Sequence, residues 1–165
     1  MKVKAWSIDL KLRVPFTTAR SSSVVAENIV VCLDSPDGTG LGEAAPSQRF
    51  GWDKQRVAQE IGEAARKACK ITTLSNLPKL VAKLRVPPAK AAFDIATHDI
   101  LAKSEGKALY DFLGLSKPGG VTTSYTISLA SPEKMLEMAK LAETEGYKIL
   151  KIKLGGPHDL SLIHI

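Results

Sequence analysis

The chain has 165 residues, enough to bury one good hydrophobic core and part of a second. Its 44% hydrophobic and 24% charged content is typical of a globular protein, and no apolar run approaches the roughly 20 residues of a membrane span. The formal net charge is +6, but the basic residues are scattered and aromatic residues make up only 5%, which argues against nucleic-acid binding. We expect no nucleic-acid partner, no membrane contact and, because the N-terminal residues lack a signal-peptide pattern, a cytoplasmic location.

The first third of the sequence predicts an antiparallel meander of three strands. Alternating residues predict a strand over Lys2–Arg13 that Pro15-Phe16 ends, and a β-branched run predicts a second strand over Asn28–Leu33. A turn rich in proline and glycine precedes a third short strand over Gly40–Pro46. Between the first two strands, Thr17–Glu27 is predicted to be a long polar loop, a kind of segment that is often functional.

Three helices are predicted next. Asp53 is a candidate N-cap for a helix that runs to about Lys70, and a second helix is expected over Leu77–Leu84. A third, over Ala89–Lys103, has an apolar face broad enough for near-complete burial in the core. His98 lies in this third helix, and we interpret it as a hydrogen-bonded structural residue and not as a catalytic one.

The two cysteines do not indicate a metal site. Cys32 lies in a predicted strand and Cys69 in a predicted helix, without the spacing of metal ligands. Both are expected to be reduced and buried.

A linker and a strand, helix and strand make up the rest of the chain. Ser116–Gly120 is the clearest linker and predicts a domain boundary. A strand is predicted over Val121–Ala130, followed by a helix that Ser131 caps and that ends before Gly146. A second strand lies between Gly146 and Gly155, and such a unit forms a parallel strand pair with a right-handed crossover.

The last strand carries two lysines on one face. Because side chains alternate, Lys151 and Lys153 point one way, and Leu150, Ile152 and Leu154 point the other. In an edge strand the lysines would be solvated and would discourage edge-to-edge association. In a parallel β/α barrel they would lie side by side over a partly desolvated pocket, where a lysine that loses its proton near neutral pH is a general base. Both predicted strands have one polar and one apolar face, which favours a barrel with a functional mouth, although this unit alone cannot close one.

These features together resemble the enolase superfamily. The order of elements is similar to that in its muconate-lactonizing branch and, within that branch, in the dipeptide epimerases. The elements are a meander, helices, a Pro-Gly linker, Thr-Ser-Tyr-Thr-Ile and Lys-Ile-Lys-Leu-Gly-Gly. The resemblance extends from Met1 to about Asp159, with support from Gly40–Ala44 and Phe93–Asp99. It implies an α+β capping domain over residues 1–115 and the first β/α/β unit of an incomplete TIM-type barrel over residues 121–159.

The resemblance also implies roles for three residues. Lys153 matches the lysine that removes or returns the proton α to a carboxylate. Lys151 matches a lysine near the substrate carboxylate whose charge disfavours protonation of its neighbour, and Thr126 matches a substrate-binding threonine. The segments 17–27 and 47–52 match loops that close over the barrel mouth and set specificity.

The resemblance also implies a bound metal, with ligands that come from outside this chain. In the family Mg²⁺ stabilises the charge that develops when the proton leaves, and its acidic ligands and a second catalytic lysine come from later barrel strands. No metal ligand is therefore assigned here, and no cofactor is expected to bind this chain alone.

We therefore expect the N-terminal part of a Mg²⁺-dependent dipeptide epimerase, an isomerase that acts on small carboxylates, with the chain itself inactive. Homo-oligomerisation of the complete protein stays open. Two alternatives are a cycloisomerase or an o-succinylbenzoate synthase of the same family, and a small binding module with solvated lysines. Leu160–Ile165 resembles the translation of a transposon-end sequencing adapter, so we expect this tail to be an artefact.

Overall fold

The computed structural model describes residues 1–117, 119–155 and 159. The chain forms two compact units, one made of Met1–Leu10 and Glu27–Pro118 and the other of Lys11–Ala26 and the chain from Gly119 onward. Within the described part of the chain, no helix combines the length and apolar character needed to cross a bilayer. The predicted tail, Leu160–Ile165, lies outside the described residues.

The predicted meander is confirmed as a three-stranded sheet in the order β1-β2-β3, with bounds Lys2–Thr18, Ser21–Ser35 and Gly38–Ala44. Strands β2 and β3 pair antiparallel, with Ser35 opposite Gly38 across a two-residue turn. The alternating burial along β3 matches a strand that packs one face on a core.

The predicted loop over Thr17–Glu27 is wrong. Strand β1 continues through Pro15 to Thr18, and only two residues, Ala19 and Arg20, separate it from β2. Strand β1 is an edge strand, and an edge strand tolerates proline because a backbone N–H that would face solvent is not needed for the ladder. The segment is thus the closed end of a long β-hairpin.

The described part of the first unit also contains four α-helices, α1 over Lys54–Ala68, α2 over Leu77–Val81, α3 over Pro87–Ser104 and α4 over Leu109–Phe112. The predicted cap is confirmed, since the side chain of Asp53 accepts a hydrogen bond of 2.8 Å from the Arg56 N–H. Helix α2 is shorter than predicted, and α3 begins at the proline pair.

Helix α3 lies directly against β3. A Cβ on Gly42 would overlap the carbonyl oxygen of Ala92 and lie 2.8 Å from the Ala96 nitrogen, so only glycine permits this approach. The Asp99 carboxylate accepts a 2.9 Å hydrogen bond from the Leu41 N–H and joins the same two elements. The core between sheet and helices contains Val31, Leu33, Val57, Ile61, Leu77, Phe93 and Ile100.

Some expectations about burial need correction. Cys69 is exposed and Cys32 is half-buried, both as free thiols. Cys69 follows the end of α1 and lies off its buried stripe, which runs through Val57, Ile61, Ala64 and Ala68. The near-complete burial predicted for α3 is also wrong, because Ile95 is 48% exposed. The structural interpretation of His98 is supported by the 2.9 Å hydrogen bond between its Nδ1 and the Asp94 carbonyl oxygen.

The second unit contains the predicted parallel β/α/β arrangement. Strand β4 spans Ser124–Ile127, helix α5 spans Pro132–Thr144 and strand β5 spans Ile149–Ile152. The two strands pair in parallel, which confirms the predicted strand, helix and strand, although both strands are shorter than their sequence patterns. Ser131 caps α5 by accepting from the Lys134 N–H at 3.4 Å, and Gly146 with φ +87 follows its end.

Candidate active site

The register of β4 and β5 brings a hydroxyl and an ammonium group together. Thr126 pairs with Lys151, and the next pair joins Ile127 with Ile152. Paired residues of a parallel ladder share a face, so Thr126 and Lys151 point the same way. Lys153, two residues further along, continues this face, and its backbone N–H donates to the Ile127 carbonyl oxygen at 3.1 Å. We call the side that carries Thr126, Lys151 and Lys153 the lysine face.

The opposite side of the strand pair is the side that helix α5 covers. Ile127 of β4 and Met135 of α5 are both 1% exposed and form the centre of a small core. Apolar residues on the same side of β5 are less covered, with Leu150 36% and Ile152 40% exposed. The helix therefore packs on the apolar side and leaves the lysine face free of it, which is how a β/α barrel separates its helices from its interior.

The end of the β1-β2 hairpin lies at the carboxyl ends of β4 and β5. The Thr17 carbonyl oxygen accepts a 3.0 Å hydrogen bond from the Leu129 N–H, just beyond β4. Beyond β5, Gly155 has φ +120, and a Cβ there would overlap the Cβ of Ala19 in the hairpin turn. The hairpin end therefore lies at the carboxyl edge, which is the edge where parallel α/β sheets generally bind ligands.

An aromatic ring from the hairpin reaches the lysine face. The Phe16 ring centroid lies 5.7 Å from Lys153 Nζ, within the range of a cation–π contact. Lys153 is half-buried, whereas Lys151 is exposed. Sequence reasoning missed Phe16 because it took Pro15-Phe16 as the end of a strand. Proline is tolerated in an edge strand, but the sequence carries no local signal that this strand lies at an edge.

An ion pair is formed by Arg13, which precedes Phe16 in strand β1. Arg13 donates a 2.7 Å hydrogen bond to the carboxylate of Glu145, the residue that follows α5. This hydrogen bond and the Glu145 charge raise the pKa of the Arg13 guanidinium above its usual range, so Arg13 stays charged at any ordinary pH. It attaches β1 to the end of α5, within the same unit as the lysine face.

The second predicted mouth loop, Ser47–Trp52, belongs to the first unit. Ser47 and Trp52 exchange two backbone hydrogen bonds of 2.7 and 3.1 Å, and the Arg56 guanidinium lies 4.5 Å from the Trp52 ring centroid. The loop is thus a closed, well-defined turn. Its role at a barrel mouth stays a prediction.

The described residues do not supply a Mg²⁺ centre. In residues 1–117, 119–155 and 159, no three side chains of His, Cys, Asp or Glu come together in a way that could hold a metal ion. The lysine face carries cations, which repel a metal and attract a carboxylate instead. An ammonium and a hydroxyl on one face are groups that can bind a carboxylate, and a neutral lysine is a group that can accept a proton.

The family of the chain follows from comparison with known proteins. Residues 1–114 match the model of the mandelate racemase / muconate lactonizing enzyme N-terminal domain. The chain belongs to the mandelate racemase and muconate lactonizing enzyme family, and the resemblance inferred from its motifs is confirmed.

Several of the similar proteins within this family are dipeptide epimerases. The chain is 31% identical over 152 residues to the L-Ala-D/L-Glu epimerase of Escherichia coli strain K12, a match covering 92% of this chain and 46% of that protein. It is 29% identical to the D-Ala-D/L-Ala epimerase of Cytophaga hutchinsonii, covering 99% and 46% of the two sequences. The chain thus spans about half the length of the curated relatives it matches.

A solved structure gives the same result for the fold. The dipeptide epimerase from Cytophaga hutchinsonii, complexed with Mg and the dipeptide D-Ala-L-Val, matches with a TM-score of 0.85 and 29% identity. The match covers 96% of this chain and 45% of that structure. The α+β fold with a following β/α/β unit is therefore that of the dipeptide epimerases over the part they share.

Proposed function

We propose that this chain is the N-terminal part of a dipeptide epimerase, with a capping domain over residues 1–115 and the start of the barrel over residues 121–159. The observation that carries the proposal is the lysine face. Thr126 and Lys151 are register partners, Lys153 follows them, and all three lie on the side of the strand pair that α5 does not cover. The dipeptide epimerases among the relatives support the reaction and the substrate class.

In the proposed reaction Lys153, in its neutral form, takes the proton from the carbon α to the substrate carboxylate. The electron pair of that C–H bond stays on the substrate, and the lysine becomes an ammonium. The Lys151 ammonium binds the carboxylate and the Thr126 hydroxyl contacts the substrate beside it. Inversion requires return of a proton to the opposite face, and we assign that step to a group outside this chain.

We further infer that the complete enzyme uses Mg²⁺, as the similar structure with bound Mg suggests, with ligands that the described residues of this chain do not supply. We infer that the chain alone is inactive, because its described residues bring together no group that could hold a metal ion and the second proton donor is assigned to a group outside it. A cytoplasmic location and the absence of a nucleic-acid partner stay predictions.

The test begins with the gene. Genomic DNA is resequenced across codon 159 with a library chemistry that uses no transposon adapter, and the complete protein is expressed with Mg²⁺. Exchange of the α-proton of L-Ala-L-Glu and a panel of other dipeptides in D₂O is followed by proton NMR. We expect exchange and epimerisation by the complete protein and neither by the 165-residue chain.

Matched variants then test the residues. Lys153→Arg keeps a positive charge but cannot act as a base, so exchange should be lost, and Lys151→Met should weaken substrate binding. Lys148→Met removes an exposed lysine that precedes β5 and should leave exchange unchanged. Full exchange by Lys153→Arg would exclude the proposed base. Lactone or o-succinylbenzoate formation without dipeptide epimerisation would instead identify the alternative reactions of the family.

A further inference from the structure

The hairpin end and the lysine face are connected by three separate contacts. The backbone hydrogen bond from Leu129 to Thr17 and the close fit of Ala19 against Gly155 hold the hairpin end to both strands. The third contact is between side chains, from the Phe16 ring to the Lys153 ammonium. The first two contacts involve backbone or Cβ atoms, so they fix where the ring can lie.

Among the described residues, the Phe16 ring lies against this ammonium. Across the described residues no carboxylate lies within salt-bridge distance of Lys153 Nζ. The negative face of an aromatic ring attracts an ammonium, and the contact orients a side chain that otherwise has four free torsions. Phe16 itself is 43% exposed, so its side chain does not fill a core position.

We propose that Phe16 is a positioning residue for Lys153: its ring attracts the ammonium that Lys153 becomes when it takes the proton, and does not act on the substrate. The inference rests on the proposed function, since it gives the hairpin a part in proton transfer. The hairpin end then contributes to the rate by holding the base at the carboxyl end of β5. Packing alone would make Leu an adequate replacement, whereas a cation–π contact requires a ring.

The first experiment uses the 165-residue chain and does not depend on activity. Lysine labelled with ¹³C at Cε is incorporated, and the Lys153 signal is assigned with Lys153→Arg. We expect its protons to be shifted upfield by the ring current, to lose the shift in Phe16→Leu and to keep it in Phe16→Tyr. The Lys151 signal is the internal control. An unchanged Lys153 signal in a folded Phe16→Leu chain would overturn the proposal.

The second experiment measures the consequence in the complete enzyme. Phe16→Leu should lower kcat for α-proton exchange about 2- to 5-fold with little change in KM, the range expected for an exposed cation–π contact. Phe16→Tyr should restore kcat. Equal kcat for Leu and Tyr, or a change confined to KM, would contradict the positioning role. Absence of epimerisation in every form would refute the proposed function, and the NMR result would still decide the Phe16 contact.

Discussion

Substitution of Gly42 by alanine tests the packing that holds the first unit together. Gly42 lies in β3, where a Cβ would overlap the Ala92 carbonyl oxygen and approach the Ala96 nitrogen to 2.8 Å. Both atoms belong to the backbone of α3, so no side chain can rotate away. The strand or the helix must move until the contacts reach the ordinary 3.4–4 Å.

The size of the effect follows from the kind of atom that must move. Overpacking a well-packed core costs typically 1–3 kcal/mol, and displacement of two backbone elements places Gly42→Ala at about 3 kcal/mol. Gly62→Ala is the matched control. Gly62 lies within α1, where a Cβ meets only the tip of Arg66 at 4.0 Å, so alanine should stabilise the helix by about 0.5–1 kcal/mol.

Urea unfolding followed by tryptophan fluorescence measures both variants. Trp6 and Trp52, the two tryptophans of the chain, both belong to the first unit, so the signal reports on the sheet and helices in question. The free energy of unfolding should fall for Gly42→Ala and rise for Gly62→Ala at a similar slope. A Gly42→Ala chain within about 0.5 kcal/mol of the unaltered protein would refute the close contact between α3 and β3.

Three further substitutions have defined outcomes in the same unfolding assay. Thr97→Val should raise the free energy of unfolding by about 1 kcal/mol, because the buried Thr97 hydroxyl has no hydrogen-bond partner among the described residues; a decrease would reveal a partner. Asp53→Ala should lower the free energy of unfolding by about 1 kcal/mol through loss of the α1 cap. Asp53→Asn still accepts the hydrogen bond from the Arg56 N–H and should retain most of the stabilisation from the cap. The hydrogen bond to Glu27, and with it the Asp9 carboxylate, raises the pKa of Lys54 above its ordinary 10.5. The unfolded chain loses this proton first, so the stabilisation is complete below pH 10.5 and disappears as the pH rises through the folded value. The difference between Lys54→Met and the unaltered chain should therefore be constant near neutral pH and vanish at strongly alkaline pH, and a difference that grows there would contradict the ion pair.

Several features of this protein follow from local sequence alone. The caps at Asp53 and Ser131 satisfy N–H groups only three residues away, so no distant contact is needed to predict them. The common face of Lys151 and Lys153 follows from the two-residue period of a strand. The order of strands and helices follows for the same reason, because hydrophobic periodicity records which side of each element meets a core.

Other features depended on the neighbours that folding brings together. Pro15 lies inside a strand because that strand is at the edge of its sheet, and edge position is a property of the sheet. The pairing of Thr126 with Lys151 depends on the register between two strands, which neither strand's own sequence determines. The contact of Phe16 with Lys153 joins residues from opposite ends of the chain. Sequence periodicity identifies the face on which a side chain lies, but only the packed structure decides which distant group meets it there.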